Sequence, residues 1–144
     1  MIIREIKKNL FDMDNSVYYY AHCISSCCSV PWKGIASNFE RIFNLRHILL
    51  TKYSIVERRH PNTILEGNVF NLITKEFYYH KPSYDDLYIS LLILRSICIE
   101  NKIKKLAIPK IGCGMDKLSW RKVKKIIESI FQYINIEIII CIYK

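Results

Sequence analysis

The sequence KLAIPKIGCGMD, residues 105–116, predicts a short apolar strand that runs directly into a glycine-containing loop. Gly112 and Gly114 allow the backbone to approach a ligand closely and to direct successive N–H groups at an anion. A single G-x-G pattern is equally typical of a tight turn. The neighbouring segments therefore determine whether this loop binds a ligand.

The segments around this loop alternate between strand and helix patterns. Ser83, followed by Asp86 three residues later, predicts the N-cap of a helix over residues 84–101. Ser119 begins a second helix with a regular apolar stripe. The almost continuous apolar run at 136–143 is typical of a strand that is covered on both faces.

The N-terminal half predicts strands over 17–24, 53–56 and 68–74, and a helix over 35–44. Strands that alternate with helices indicate an α/β fold with a mixed or mostly parallel sheet and helices on both faces. We therefore expect one domain over residues 1–144. Because ligands of such sheets bind at the carboxyl ends of strands, the predicted site lies in the loops that follow Ile24, Thr74 and Pro109.

Composition narrows the class of protein. Of the 144 residues, 51% are hydrophobic and 24% are charged, which excludes intrinsic disorder. The net charge of +9 favours a negatively charged partner. No apolar stretch reaches the ~20 residues that a membrane helix needs, so we expect no membrane association. Met1–Glu5 shows no secretory pattern, and we expect an intracellular protein, cytoplasmic or nuclear.

The six cysteines show no C-x-x-C pair, and the cluster at 22–28 fits zinc-ligand spacings poorly. We therefore expect no metal site, and we also expect no cofactor. His22, at the end of a predicted strand, is interpreted as a partly buried histidine that is hydrogen-bonded to the backbone.

Three segments at the predicted strand ends carry a family resemblance. They are AHCIS at 21–25 leading to KGIA at 33–36, LITK at 72–75 followed by HKPSY at 80–84, and PKIGCGMD at 109–116. In this order, with the Trp-containing helix and apolar last strand, they resemble the macrodomains, which bind ADP-ribose. Within that family the chain is similar to the branch of terminal ADP-ribose protein glycohydrolases.

The resemblance implies a three-layer α/β/α sandwich with a central sheet of about six strands, and it implies specific roles. Lys75 corresponds to the catalytic nucleophile of the branch, and Asp116 corresponds to its acid/base partner. The lysine would attack C1″ of the distal ribose as a neutral amine. The implied ADP-ribose-binding residues are Asn9, Leu10, Ser25, Lys33, Gly34, Ile35, Ala36, Thr74, Pro109, Ile111, Gly112, Cys113, Gly114 and Met115.

Two stretches depart from the family pattern. Asn9 stands where the adenine-recognising motif usually has aspartate, so its carbonyl would accept the exocyclic amine without charge assistance. The stretch at 31–36 is less glycine-rich than in the family. There Trp32 either crowds the phosphate or covers the ribose, and Lys33 could meet the diphosphate as a point charge.

The leading function is therefore release of ADP-ribose from glutamate or aspartate side chains of modified proteins, by a monomer. Two alternatives stay within the family: a non-catalytic ADP-ribose reader, and a phosphatase acting on ADP-ribose 1″-phosphate. A third is a basic nucleic-acid-binding protein, suggested by the charge and the basic run at 121–125. The apolar stripe opposite that run favours an ordinary solvated helix face.

Overall fold

The computed structural model describes residues 1–28 and 30–143. Within this part of the chain, a 3-10 helix at Leu10–Asp12 accompanies six strands and four helices. The elements are β1 Ile2–Lys7, β2 Tyr19–Ser25, α1 Ile35–Phe43, α2 Leu45–Lys52, β3 Asn62–Glu66, β4 Val69–Lys75, α3 Tyr84–Glu100, β5 Lys105–Ile108, α4 Trp120–Phe131 and β6 Glu137–Ile142.

All six strands form one sheet in the order β1-β6-β5-β2-β4-β3. Only the β3–β4 pair is antiparallel among the described strands, and the other neighbours run parallel. The predicted mixed, mostly parallel sheet of about six strands is confirmed. The parallel strands present their carboxyl ends at one edge of the sheet, where the predicted ligand loops lie.

Alternating strand residues build a core on each face of the sheet. In β6, Ile138 and Ile140 pack into the cluster that contains the apolar stripes of α3 and α4. Ile139 and Cys141, between and after them, belong to the opposite cluster, which contains Phe39 of α1. Helices therefore cover both faces, as the apolar run at 136–143 predicted, and the architecture is a three-layer α/β/α sandwich.

The predicted start of α3 is confirmed in atomic detail. Ser83 has an extended backbone, and its Oγ accepts the N–H of Asp86 at 3.0 Å. Asp85 and Asp86 lie in the first turn, where their negative charge interacts favourably with the helix dipole and stabilises the helix. Because β4 ends at Lys75, the 76–83 connection that leads to this cap begins at the ligand edge of the sheet.

The prediction of a strand at 53–56 is wrong. These residues follow α2 and form a turn, closed by reciprocal hydrogen bonds between Ser54 and Glu57 of 3.0 and 3.1 Å. The sequence pattern also missed β1, α2 and β3. Because β1 and β3 lie at the two edges of the sheet, each pairs with one neighbour only, and their apolar pattern is correspondingly weak.

No helix among the described residues combines the length and apolarity that crossing a membrane requires. The described residues also contain no group of three or more His, Cys, Asp or Glu side chains arranged to hold a metal ion.

His22 is buried more deeply than predicted. Its side chain is completely buried, its Nε2 lies 2.6 Å from Oδ1 of Asn71, and its ring stacks on Phe39 at 4.1 Å. The partner is thus a side chain rather than the backbone. Burial lowers the pKa of His22 to about 4, against a smaller opposing effect of the Asn71 hydrogen bond.

Because the pKa of His22 is lowered, we expect the protein to lose stability on mild acidification. Because its pKa is lower in the folded than in the unfolded chain, the unfolded chain binds more protons between pH 6.5 and 4. The free energy of unfolding should therefore fall by about 2 kcal/mol between pH 7 and pH 5, at 1.36 kcal/mol per pH unit. Urea titrations at both values measure this change.

His22→Gln is the matched variant, because it keeps an N–H donor for Asn71 but does not titrate. Its free energy of unfolding should be nearly constant over the same pH range. The carboxylates with lowered pKa, Glu40 and Glu66 among them, lose their contributions only below pH 4.5. An equal pH dependence in the wild type and the variant would contradict the assignment to His22.

Candidate active site

A cavity of about 590 Å³ opens at the carboxyl ends of β2, β4, β5 and β6. Every predicted site residue except Thr74 lines it, although the strands and loops that supply them are far apart in the sequence. Those lining residues are Asn9, Leu10, Ser25, Lys33, Gly34, Ile35, Ala36, Lys75, Pro109, Ile111, Gly112, Cys113, Gly114, Met115 and Asp116.

Lys75 and Asp116 form an ion pair in this cavity. Nζ of Lys75 donates to Oδ1 of Asp116 at 2.5 Å and to the carbonyl of Tyr78 at 3.0 Å. Each of the two charged side chains keeps only 12% of its surface exposed. The arrangement holds an amine and a carboxylate at one point of the cavity wall, where a proton can pass directly between them.

An irregularity in the sheet explains why Lys75 reaches the cavity. Ile24 of β2 pairs with Ile73 of β4, but the next β2 residue, Ser25, pairs with Lys75. Two β4 residues, Thr74 and Lys75, therefore lie opposite one residue of β2. Such bulges change the direction of a side chain and are frequent beside active sites.

The prediction that Thr74 contacts the ligand is not supported by this geometry. Thr74 is 1% exposed and does not line the cavity, and its Oγ1 has no hydrogen-bond partner among the described residues. Of the two β4 residues at the bulge, Lys75 lines the cavity and Thr74 is buried outside its lining.

The two glycine loops face each other across the cavity. Gly34 has a φ of +62° and precedes α1. The first backbone N–H of this helix that forms a backbone hydrogen bond is that of Ser37, which donates to the carbonyl of Gly34 at 3.1 Å. The N–H groups of Ile35 and Ala36 thus lack helical partners and are available to an anion. A Cβ built on Gly34 would lie 3.3 Å from Sδ of Met115, which shows how closely the loops approach.

The second loop has a closed backbone. The N–H of Leu118 donates to the carbonyl of Gly112 at 2.8 Å, and Gly112 has a φ of +72°. A Cβ on Gly112 would lie 2.9 Å from Cδ1 of Leu118, which is itself buried. The loop therefore requires glycine at this position, and its shape directs Asp116 toward Lys75.

The charge of the cavity suits an anion such as a diphosphate. Among the described residues, three lysines line it, Lys33, Lys75 and Lys110, whereas Asp116 is the one acidic residue of the lining. Lys33 also lies over the ring of Tyr78, 5.5 Å from the ring centroid. The excess of positive charge lies beside unpaired backbone N–H groups, which is the usual combination in phosphate sites.

The two departures from the family pattern have defined positions. Trp32 lines the cavity but does not fill it: its indole packs against His22, and its Nε1 is buried without a partner among the described residues. Its backbone N–H donates to Glu40, which pairs with Arg46. This ion pair fixes the loop before Gly34.

Asn9 lines the cavity and also begins the 3-10 helix that follows it. Its Oδ1 accepts the N–H of Phe11 at 3.0 Å. The carbonyl predicted to accept an adenine amine therefore already has one backbone donor, and it has one further lone pair for a ligand.

The two thiols near the ion pair are unsuited to nucleophilic attack. Burial, with a smaller contribution from Asp116, raises the pKa of Cys23 far above that of a free thiol. Burial also raises the pKa of Cys113 to about 11. Since the thiolate is the reactive form of cysteine, neither of these two thiols is a ready nucleophile at this position.

Several lining residues were not identified from the sequence, among them Tyr78, Lys110, Asn38 and Phe11. Tyr78 lies in the connection after β4, and the run of aromatic residues at 77–79 was the available signal. Tyr143, near the end of the chain, lines the cavity with an exposed ring. The basic run of α4 is not part of this cavity, and Lys124 pairs there with Glu5 at 3.0 Å.

Comparison with known proteins identifies relatives of this chain by sequence. No protein-family model matches the chain. The human ADP-ribose glycohydrolase OARD1 is 36% identical over 121 residues, which cover 82% of this chain and 77% of the human protein. The bovine protein of the same name is 36% identical over 120 residues, covering 81% of this chain and 76% of its own.

Solved structures of macrodomains have a similar fold. The macrodomain of Thermus aquaticus DarG has a TM-score of 0.84 at 18% identity, and the match covers 98% of both chains. Thermosipho africanus DarTG in complex with ADP-ribose has a TM-score of 0.82 at 16% identity, covering 99% of this chain and 41% of that one.

Proposed function

This chain belongs to the macrodomain family, among its ADP-ribose glycohydrolases, and on that premise we propose that it releases ADP-ribose from glutamate and aspartate side chains of modified proteins. The ion pair between Lys75 and Asp116 carries this proposal. It lies in the wall of a cavity whose lysines and glycine loops suit a diphosphate.

The diphosphate orients the substrate in this proposal. The glycine loops around Gly34 and Gly112 bind it with backbone N–H groups, and Lys33 and Lys110 supply positive charge. The distal ribose then lies beside Lys75, whose position is fixed by Asp116 and by the carbonyl of Tyr78. Fixing the reacting groups in this way lowers the entropic part of the barrier.

The chemical step uses the two paired groups in turn. Asp116 takes a proton from Lys75, and the neutral amine attacks C1″ of the ribose. A C1″–N bond forms, the C1″–O bond to the protein breaks, and the side chain leaves as a carboxylate. Asp116 then loses its proton to solvent and, as a carboxylate, takes a proton from the water that adds to C1″. The C1″–N bond breaks, ADP-ribose leaves, and the proton passes from Asp116 to the amine of Lys75, which restores the ion pair.

A turnover assay on a protein that is ADP-ribosylated on glutamate tests this function. We expect each enzyme molecule to release many molecules of free ADP-ribose. We also expect isothermal calorimetry to detect binding of ADP-ribose itself. Binding without turnover would instead identify a reader. Release of phosphate from ADP-ribose 1″-phosphate, without cleavage of the protein ester, would identify a phosphatase.

A further inference from the structure

A second cavity, of about 550 Å³, lies beside the first on the side of the sheet that leads to β3. Its lining combines apolar side chains with cationic ones. Leu50, Ile55 and Phe77 supply the apolar surface, and Arg58 and Arg59 supply the charge, with Glu76 as an acidic neighbour. None of these residues takes part in the proposed chemistry.

The two cavities share a wall. The segment after β2 is hydrogen-bonded to the segment after β4: Ser26 N donates to the carbonyl of Lys75 at 2.8 Å, and Cys27 N donates to that of Glu76 at 2.9 Å. Ser26 Oγ also donates to the carbonyl of Glu76 at 3.1 Å. Lys75 lines the first cavity, and its neighbour Glu76 lines the second.

This geometry limits the path of a macromolecular substrate. If the proposed function holds, the bond to be broken lies at Lys75, and the polypeptide that carries the ADP-ribose begins at that point. ADP-ribose itself occupies the first cavity. The residues that flank the modified side chain then lie over the shared wall, within reach of the second cavity.

The charges of the second cavity favour an acidic segment. Arg58 is 9% exposed and fixed, since its Nη1 donates to the carbonyl of Ser26 at 2.9 Å. Arg59 is exposed, and its side chain forms no hydrogen bond or ion pair with the rest of the described chain. An exposed arginine of this kind can pair with a carboxylate of a partner without first losing another contact.

Apolar surface accompanies this charge. Ile55 is 78% exposed and Val56 is 69% exposed, in the turn that precedes β3. Adjacent exposed residues of this size are typical of interaction sites when charged residues surround them. The turn contains Ser54 and Glu57, whose reciprocal hydrogen bonds keep it in one conformation.

We propose that this second cavity binds an acidic, extended segment of the ADP-ribosylated protein, with Arg59 pairing with a carboxylate and Ile55 contacting an apolar side chain. The inference rests on the proposed function for the position of the substrate. It assigns to the chain a protein-binding surface that is separate from the ADP-ribose cavity.

Two substrates separate the roles of the two cavities: a glutamate-ADP-ribosylated acidic peptide, and the ADP-ribose ester of free glutamate. Arg59→Glu and Ile55→Ser should each raise KM for the peptide about fivefold or more, the scale of an exposed charge contact or a small apolar contact. Neither variant should change kcat/KM for the small ester. The matched control is Lys104→Glu, a charge reversal at an exposed residue that precedes β5, at the amino end of that strand and away from both cavities.

Equal peptide KM values in Arg59→Glu, Ile55→Ser and wild type would overturn the proposal, as would equal losses on both substrates. Displacement of the peptide by a single-stranded oligonucleotide would also overturn it, in favour of nucleic acid. Fluorescence anisotropy of the labelled peptide gives a readout that does not need turnover. If wild type cleaves neither substrate, the proposed function fails. Peptide binding that exceeds ADP-ribose binding, and that Arg59→Glu abolishes, would still support this surface.

Discussion

Lys75→Ala should reduce release of ADP-ribose from a glutamate-modified protein by about 10³-fold or more. In the proposed mechanism this variant lacks the nucleophile of the covalent step, and losses of this size are common when a nucleophile is removed. Affinity for ADP-ribose should change by less than about tenfold, because the glycine loops and Lys33 and Lys110 remain. Single-turnover kinetics and calorimetry measure the two quantities separately.

Lys75→Arg is the informative companion. Arginine keeps the positive charge and can pair with Asp116, but it stays protonated and cannot attack as a neutral amine. We expect it to bind ADP-ribose as well as wild type does and to be as inactive as Lys75→Ala. If either variant retained more than a tenth of wild-type turnover, covalent catalysis by Lys75 would be excluded.

The sequence predicted those features that depend on local patterns. The N-cap at Ser83, the apolar stripe of α4 and the continuous apolar run of β6 each arise from residues within a few positions of one another, and each was found where expected. The edge strands β1 and β3 were missed because their pattern is weak and their identity depends on pairing with distant residues. Such pairing is decided by the tertiary fold.

The candidate site shows the same division. The resemblance placed Lys75 and Asp116 in one site although 41 residues separate them, and the structure brings them to 2.5 Å. It could not show that Thr74 stays outside the cavity lining, because its position depends on the bulge between β2 and β4, which leaves no mark in the sequence. The second cavity could not be predicted either, since its walls come from helix α2 and from three connections that lack a shared motif.

Gly112→Ala tests the loop that we propose to hold the diphosphate. Its φ of +72° is costly for a residue with a Cβ, and that Cβ would lie 2.9 Å from buried Leu118. Left-handed backbone alone costs about 1–2 kcal/mol per residue. Displacement of Leu118 adds to this, so the free energy of unfolding should fall by about 2 kcal/mol or more, and the Kd for ADP-ribose should rise at least tenfold.

Two other glycines separate these causes. Gly67 has a φ of +60° with nothing within 4 Å of its Cβ position, so Gly67→Ala measures the backbone cost alone and should leave ADP-ribose binding unchanged. Gly114 also has open space and no positive φ, so Gly114→Ala should alter stability by less than about 0.5 kcal/mol. Denaturant titrations measure the free energy of unfolding of the three variants. The loss in Gly112→Ala minus the loss in Gly67→Ala gives the cost of the contact with Leu118. If that difference is zero and Gly112→Ala binds ADP-ribose normally, the loop neither requires glycine at 112 nor positions the diphosphate.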